Sequence, residues 1–186
     1  MAFAPLQGST ANVSDFPVRQ LVREGQIAPQ PLFPSALYSP IESERSTLNP
    51  PFASGADWIA GQFARWRGAK VPGRLITSAK SWLCHPAVDR TADILPWGGA
   101  PDVPKISPVR ASALLLEHMR AAWNEAHSAD PLEAQEVVVT VPASFDEVAR
   151  SLTVNAVRQA GLEHFTLVEE PQAGFYHFSY RHQGGL

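Results

Sequence analysis

A chain of 186 residues with a formal net charge of −3, 45% apolar side chains and one cysteine is long enough for one folded domain, or for part of a larger one, and carries no general electrostatic pull toward nucleic acid or anionic membrane. The single Cys84 excludes an internal disulfide. No stretch approaches the roughly 18 apolar residues of a membrane-crossing helix or shows a basic-then-apolar leader, so a cytoplasmic protein is expected.

Seventeen prolines against twelve glycines, crowded into the first third and into Pro96 to Pro108, predict extended or irregular chain in those parts. Met1 to about Pro31, with Gly8 and Gly25, shows no sustained period and reads as mostly loosely held, with an edge strand at Phe16 to Val22. Leu32 to Tyr38 is a better strand candidate, bounded by prolines, and Ile41 to Gly55 has the composition of a loop. Asp57 to Arg67 reads as a short helix with Ile59, Phe63 and Trp66 on one face, and Lys80-Ser81-Trp82-Leu83 as a second. Between Trp58 and Val88 lie Arg65, Arg67, Lys70, Arg74 and Lys80 with no acid, interleaved with Trp58, Trp66 and Trp82. That combination can track a phosphate backbone and stack bases; the favoured reading is a partly buried segment with cations in water, and nucleic acid is not the expected partner. Pro96-Trp97-Gly98-Gly99-Ala100-Pro101 forbids a strand across Leu95 to Pro108. Ser107-Pro108 supplies an N-cap and a first-turn proline for a long helix to about Ala126, with Ser112, Leu115, Leu116, Met119, Ala122, Trp123 and Ala126 on its inner face.

The most informative stretch is Val137 to Pro171. Val137 to Val141 is a β-branched run of the kind buried on both faces of a parallel sheet. Ser144-Phe145-Asp146-Glu147 matches a capping box, and Val148, Ala149, Leu152, Ala156 and Ala160 form a helical stripe. Gly161 provides the left-handed stop, giving a helix from about Phe145 to Ala160. Phe165 to Val168 is a second strand, parallel to the first because of the crossover length. In such units chemistry gathers at the carboxyl ends of the strands, where Pro142 and Glu170 stand. A last helix is expected from Gln172 to about Tyr180, before Gly184-Gly185-Leu186.

No phosphate-binding P-loop, dinucleotide fingerprint, serine-nucleophile elbow, zinc-peptidase motif or cysteine pair occurs. His118 and His127 read as surface positions on one helix, and Cys84, next to His85, as an inert, partly buried thiol.

Thr140-Val141-Pro142-Ala143-Ser144-Phe145, followed by Arg150, Ala160-Gly161-Leu162 and Glu170-Pro171, resembles the 70-kilodalton heat-shock chaperone family of the DnaK type, in the first lobe of its nucleotide-binding domain. Upstream, Pro34-Ser35, Ile59-Ala60-Gly61 and Ser78-Ala79-Lys80 are similar to further segments of that lobe, so the resemblance spans about Leu32 to Phe178. It implies an α/β fold, part of an actin-like, ribonuclease-H-like lobe, with a mixed sheet, covering helices and a smaller, mostly helical inserted subdomain. The implied division is an irregular segment 1–31, a small subdomain 32–106 and a core α/β subdomain 107–186. It also implies ATP and Mg2+ as cofactors. Lys80 would reach the γ-phosphate and attacking water, Glu170 would hold the water and metal shell, and Pro142 with Arg150 would relay nucleotide state to a neighbouring domain. Unfolded polypeptide clients and J-domain co-chaperones would be partners of a complete protein.

The family's first strand, with its aspartate-leucine-glycine-threonine phosphate loop, has no counterpart between Met1 and Leu32, and no second glycine-rich phosphate loop follows the last helix. The expectation is therefore a truncated member of the family, a partial ATP-binding domain inactive by itself. The alternative is a non-catalytic α/β module that docks on a partner through exposed apolar surface.

Overall fold

The longest helix, Pro108–Ala126 (α4 in the numbering below), begins where the sequence places it. Ser107 Oγ accepts from the Arg110 amide at 3.1 Å, and Pro108 occupies the first turn, where its missing amide hydrogen costs nothing. The computed structural model describes residues 1–5, 12–52 and 57–182; Gly8, Gly55 and the expected Gly184-Gly185-Leu186 terminus lie outside them. In chain order the elements are β1 (Ala2–Phe3), β2 (Ser14–Asp15), β3 (Val18–Arg23), β4 (Gln26–Gln30), β5 (Ala36–Tyr38), α1 (Glu42–Arg45), β6 (Ile59–Ala60), α2 (Gln62–Gly68), β7 (Leu75–Thr77), α3 (Ala79–Trp82), α4, β8 (Val137–Val141), α5 (Glu147–Gln159), β9 (Phe165–Glu169) and α6 (Glu170–Arg181). The result is a mixed α/β architecture of several small sheets and helices.

The buried side of α4 is broader than the expected stripe. Val109 and Ala113 pack with Val141, Phe145, Ala149, Leu152 and Ala156 of the β8–α5 unit, Ala111 and Leu114 pack with Leu37, Ala60 and Ile76, and Ala122 and Trp123 pack with Phe16, Val18, Val157 and Leu162. A helix wedged between two packed bodies buries two stripes, so Ala111, Ala113 and Leu114 enter the core while Ser112, Leu115, Leu116 and Met119 are only half-buried and Ala126 is exposed. His118, expected at the surface, is 2% exposed for the same reason. His127 is half-buried, its ring stacked on Trp123 with centroids 4.0 Å apart.

β8 and β9 pair in parallel, Val137 opposite Phe165 through Val141 opposite Glu169. The expectation that β8 is buried on both faces is corrected: Val141 is fully buried, whereas Val138 is 61% exposed and Thr140 is exposed. Helices α4 and α5 cover one face, and no described element covers the other. The cap of α5 differs too. Asp146, not Ser144, caps the helix, accepting from the Ala149 amide at 2.7 Å; an ionised carboxylate is the stronger acceptor at the positive helix end, and Arg90 holds it in place at 3.0 and 3.1 Å. Starting the helix at Glu147 turns Val148 outward, 55% exposed. Gly161 takes φ +79°, the left-handed stop read from the sequence.

The first thirty residues hold more structure than expected. β3 and β4 form an antiparallel hairpin in which Val18, Gln20 and Leu21 are at most 1% exposed; Gln20 is satisfied by the Leu32 carbonyl at 2.9 Å and the Gln62 amide at 2.8 Å. This polar core residue hid the strand's inward face from a reading of apolar alternation. Within 32–106, β6, β5 and β7 form a three-stranded antiparallel sheet in that spatial order, alongside the short helices α1, α2 and α3. Leu32 to Tyr38 contributes only its last three residues to the sheet. Ile59 and Ala60, expected in a helix, form β6, and α2 begins after Gly61. Leu95 and Ile106 make one antiparallel bridge across the proline-rich connector.

Candidate functional site

The carboxyl ends of β8 and β9 lie side by side, and α3 delivers a cation to them. Ser78 caps α3 in the left-handed region at φ 57°, which turns the chain sharply out of β7. Ala79 is buried as an anchor, leaving Lys80 exposed at the start of the helix. The Lys80 ammonium forms an ion pair and hydrogen bond with the Glu170 carboxylate, and its Nζ lies 3.5 Å from the Thr140 carbonyl oxygen at the end of β8. Glu170 is the first residue of α6, where a carboxylate is favoured by the helix dipole. Both side chains are 47% exposed, so water and solutes reach the pair.

Arg150 and Pro142 flank this point. Arg150 Nη2 of α5 donates to Glu169 Oε1 at 2.5 Å, tying the covering helix to the residue before Glu170. Half-buried Pro142 ends β8, and its carbonyl accepts from the Phe145 amide at 3.1 Å. The two residues read as a pair in the sequence do not bond each other; Glu169 is the partner the sequence reading missed. The signal for it was the doubled acid Glu169-Glu170, two consecutive carboxylates that separate between a strand end and a helix start and so take different cations. Thr140 was missed as well, because a backbone carbonyl leaves no mark in the sequence.

Among the described residues no group of three or more histidine, cysteine, aspartate or glutamate side chains could hold a metal ion. The carboxylates at this locus, Glu169 and Glu170, are each engaged by a cationic side chain, Arg150 and Lys80.

A cluster of perturbed titratable groups lies elsewhere. Tyr38 donates to Glu44 Oε2 at 2.6 Å, and Arg67 Nε donates to Glu44 Oε1 at 2.5 Å. Burial and the Glu44 contact push the Tyr38 phenol up to about 12. Burial alone would raise the Glu44 carboxyl, but hydrogen bonds from Tyr38, Arg67 and the Ile41 amide outweigh it and hold the group below its ordinary value. This triad ties α1 and α2 to β5, and its residues are too far apart in sequence to form a motif.

The basic and aromatic stretch is largely committed within the fold. Arg67 pairs with Glu44, Arg74 with Asp102 and Lys80 with Glu170, while the Lys70 ammonium sits 3.9 Å from the centre of the Trp66 ring. The acids missing between Trp58 and Val88 arrive from other parts of the chain. Trp58 is buried at 5% exposure. Cys84 is half-buried and its thiol lies 3.2 Å from the Ser81 carbonyl.

Comparison with known proteins bears on the same segment. Residues 95–178 match the family model for Hsp70 protein. The chain is 31% identical over 140 residues to heat shock 70 kDa protein BIP3 of Oryza sativa subsp. japonica, covering 66% of this chain and 20% of that protein. It is 34% identical over 125 residues to chaperone protein HscA of Enterobacter sp. (strain 638), covering 61% and 20%, and 44% identical over 69 residues to the chaperone protein HscA homolog of Methylococcus capsulatus, covering 37% and 11%. The chain thus spans about a fifth of the length of the first two relatives. Together with the β8–α5–β9 unit and the covering α4, all within residues 95–178, these matches show that the chain belongs to the Hsp70 family.

Proposed function

We propose that this chain is part of the ATP-binding domain of a DnaK-type chaperone, in an actin-like lobe, and that its Lys80 and Glu170 face the phosphate end of the nucleotide. The observation that carries the proposal is the meeting of the Lys80 ammonium and the Glu170 carboxylate beside the Thr140 carbonyl, at the carboxyl ends of two parallel strands. An ammonium there stabilises charge developing on a transferred phosphoryl group. The exposed Glu170 carboxylate orients water or the shell of a hydrated Mg2+. In the resting pair each neutralises the other, so a polyanion arriving at the locus takes Lys80 and frees Glu170 for cation or water.

Arg150 and Pro142 are assigned the coupling role. The Arg150 bond to Glu169 links α5 to the residue adjoining Glu170, so a displacement at the phosphate end pulls on the helix. The small subdomain would be 32–106 and the core subdomain 107–186. Complete relatives would use ATP and Mg2+ to drive protein folding with polypeptide clients and J-domain co-chaperones. The 186 residues contain neither glycine-rich phosphate clamp, and one lysine with one carboxylate does not replace two backbone cradles, so this polypeptide alone should be inactive.

The test is a chimera in which residues 14–182 replace the corresponding part of a complete Hsp70-family protein. Lys80→Met or Glu170→Gln should lower its Mg-ATP hydrolysis by about 100-fold, the scale of losing one charge-stabilising group. Substituted chimeras hydrolysing at the parent chimera's rate would refute the assignment.

A second reading, a non-catalytic interaction module, is favoured by α6, none of whose residues is buried. Phe175, Tyr176 and Phe178 are 65%, 55% and 59% exposed, and Val138 on the uncovered face of β8 is 61% exposed. Grouped apolar exposure of this kind marks interaction surface. A monodisperse monomer at high concentration that captures no partner would remove this reading.

A further inference from the structure

We infer that His118 is a pH-sensitive latch: neutral, it holds the β3–β4 hairpin against α4, and protonated, it releases the hairpin. The imidazole projects from the middle of α4 into a site closed on three sides. Its Nε2 lies 2.9 Å from the Arg19 carbonyl oxygen of β3, the only bond from this ring to the hairpin among the described residues. Phe33 stacks on it with centroids 4.6 Å apart and planes at 23°, and Phe52 meets it edge-on at 5.1 Å and 86°. His118 is 2% exposed and its Nδ1 is buried with no hydrogen-bond partner among the described residues.

This geometry separates the two charge states. In the neutral ring Nε2–H donates to Arg19, and Nδ1 is a lone pair facing carbon, a deficiency a weak acceptor tolerates. Protonation turns Nδ1 into a buried charged donor with no acceptor among the described residues; the Phe33 and Phe52 rings offer a cation only partial recompense. Among the described residues, the groups around it supply no counter-charge. The neighbours one turn away on α4 are Leu114, Leu115, Ala121 and Ala122. From β3 come Gln20, bound to Val18, Leu32 and Gln62, and Arg19, whose guanidinium is engaged outward with Glu125; β5 and β6, which also approach α4, bring Tyr38, whose hydroxyl is turned to Glu44, and no acid. Moving the hairpin off α4, together with the Phe33 segment that follows it in the chain, would let water reach the ring.

Burial pushes the imidazole below its ordinary value, and the Arg19 carbonyl offsets only part of that. A base whose folded value is lowered binds protons more readily once released. The docked state is therefore at full stability above about pH 6.5, the ordinary histidine value, and loses up to about tenfold in its equilibrium per pH unit as pH falls from there toward the lowered folded value.

Native-state hydrogen exchange on the 186-residue chain tests this, with rates corrected for intrinsic pH dependence. Between pH 7.5 and pH 5.0 protection across residues 18–30 should fall about tenfold or more, while residues 149–157 of α5 change less than about twofold. His118→Gln, whose side-chain amide can still donate to Arg19, should abolish the response, and His127→Gln should leave it intact. A hairpin response that survives in His118→Gln, or is lost in His127→Gln, overturns the inference. If His118→Gln does not fold, ring resonances of the wild-type protein decide: protonation of His118 must coincide with the loss of hairpin protection, and protonation with no change in the hairpin overturns the latch.

Discussion

Strand β8 makes a quantitative prediction because its two faces have different surroundings. Val141 is 0% exposed and packs among Val109, Ala113, Phe145 and Ala149, whereas Val138, three residues earlier in the same strand, is 61% exposed. Val141→Ala removes two methyl groups' worth of buried surface, about 1.6 kcal/mol at roughly 0.8 kcal/mol per buried carbon. The residual cavity adds about 1 kcal/mol, because α4 and α5 are pinned by their other contacts and close the gap only partly. The expected loss is about 2–3 kcal/mol. The same substitution at Val138 keeps the chain's β-propensity change but removes little buried area, and should cost about 0.5 kcal/mol or less. Urea denaturation followed by circular dichroism measures both, read as a shift in midpoint at unchanged slope. Equal destabilisation by the two variants would refute a single-faced β8 and show that something buries its far side.

Ser107→Ala should cost about 1 kcal/mol by urea denaturation, since it strips the Arg110 amide of its cap. Glu44→Gln should cost about 2 kcal/mol through weakened charged hydrogen bonds to Tyr38 and Arg67. Because the folded Glu44 value is lowered, its contribution is complete above the ordinary carboxylate range and lost as pH falls through the folded value. The variant should therefore show a flatter stability profile on the acid side, and an unchanged profile would contradict the triad. Absorbance titration of the wild type should find the Tyr38 phenol ionising at about pH 12. Its raised value means that the stability it contributes is lost as pH climbs from about 10 toward 12.

Local chemistry explains what was legible in the sequence. Ser107-Pro108 and Gly161 mark helix ends by rules that act within a few residues, and the β-branched run of Val137 to Val141 fixes a strand whatever covers it. The parallel pairing of β8 and β9 follows from connection length. The misread features depended on distant partners: His118 is buried because the hairpin and the Phe33 and Phe52 rings close over it, and Gln20 sits in the core because the Leu32 carbonyl and the Gln62 amide satisfy it. Asp146 displaced Ser144 as a cap with Arg90, fifty-six residues away, at its side. At the candidate site Glu170 could be named from its place at a strand end, and Lys80 through the family resemblance alone. Their direct pairing, and that of Arg150 with Glu169, required the fold, since neither pairing lies within reach of a local pattern.

Lys80 and Glu170 are proposed to face the phosphate end of a nucleotide at a locus to which these 186 residues bring no glycine-rich phosphate clamp. Isothermal titration calorimetry of this polypeptide with Mg-ATP measures that most directly. No saturable heat is expected at micromolar nucleotide; saturable binding with micromolar affinity would contradict a site that lacks its phosphate clamps.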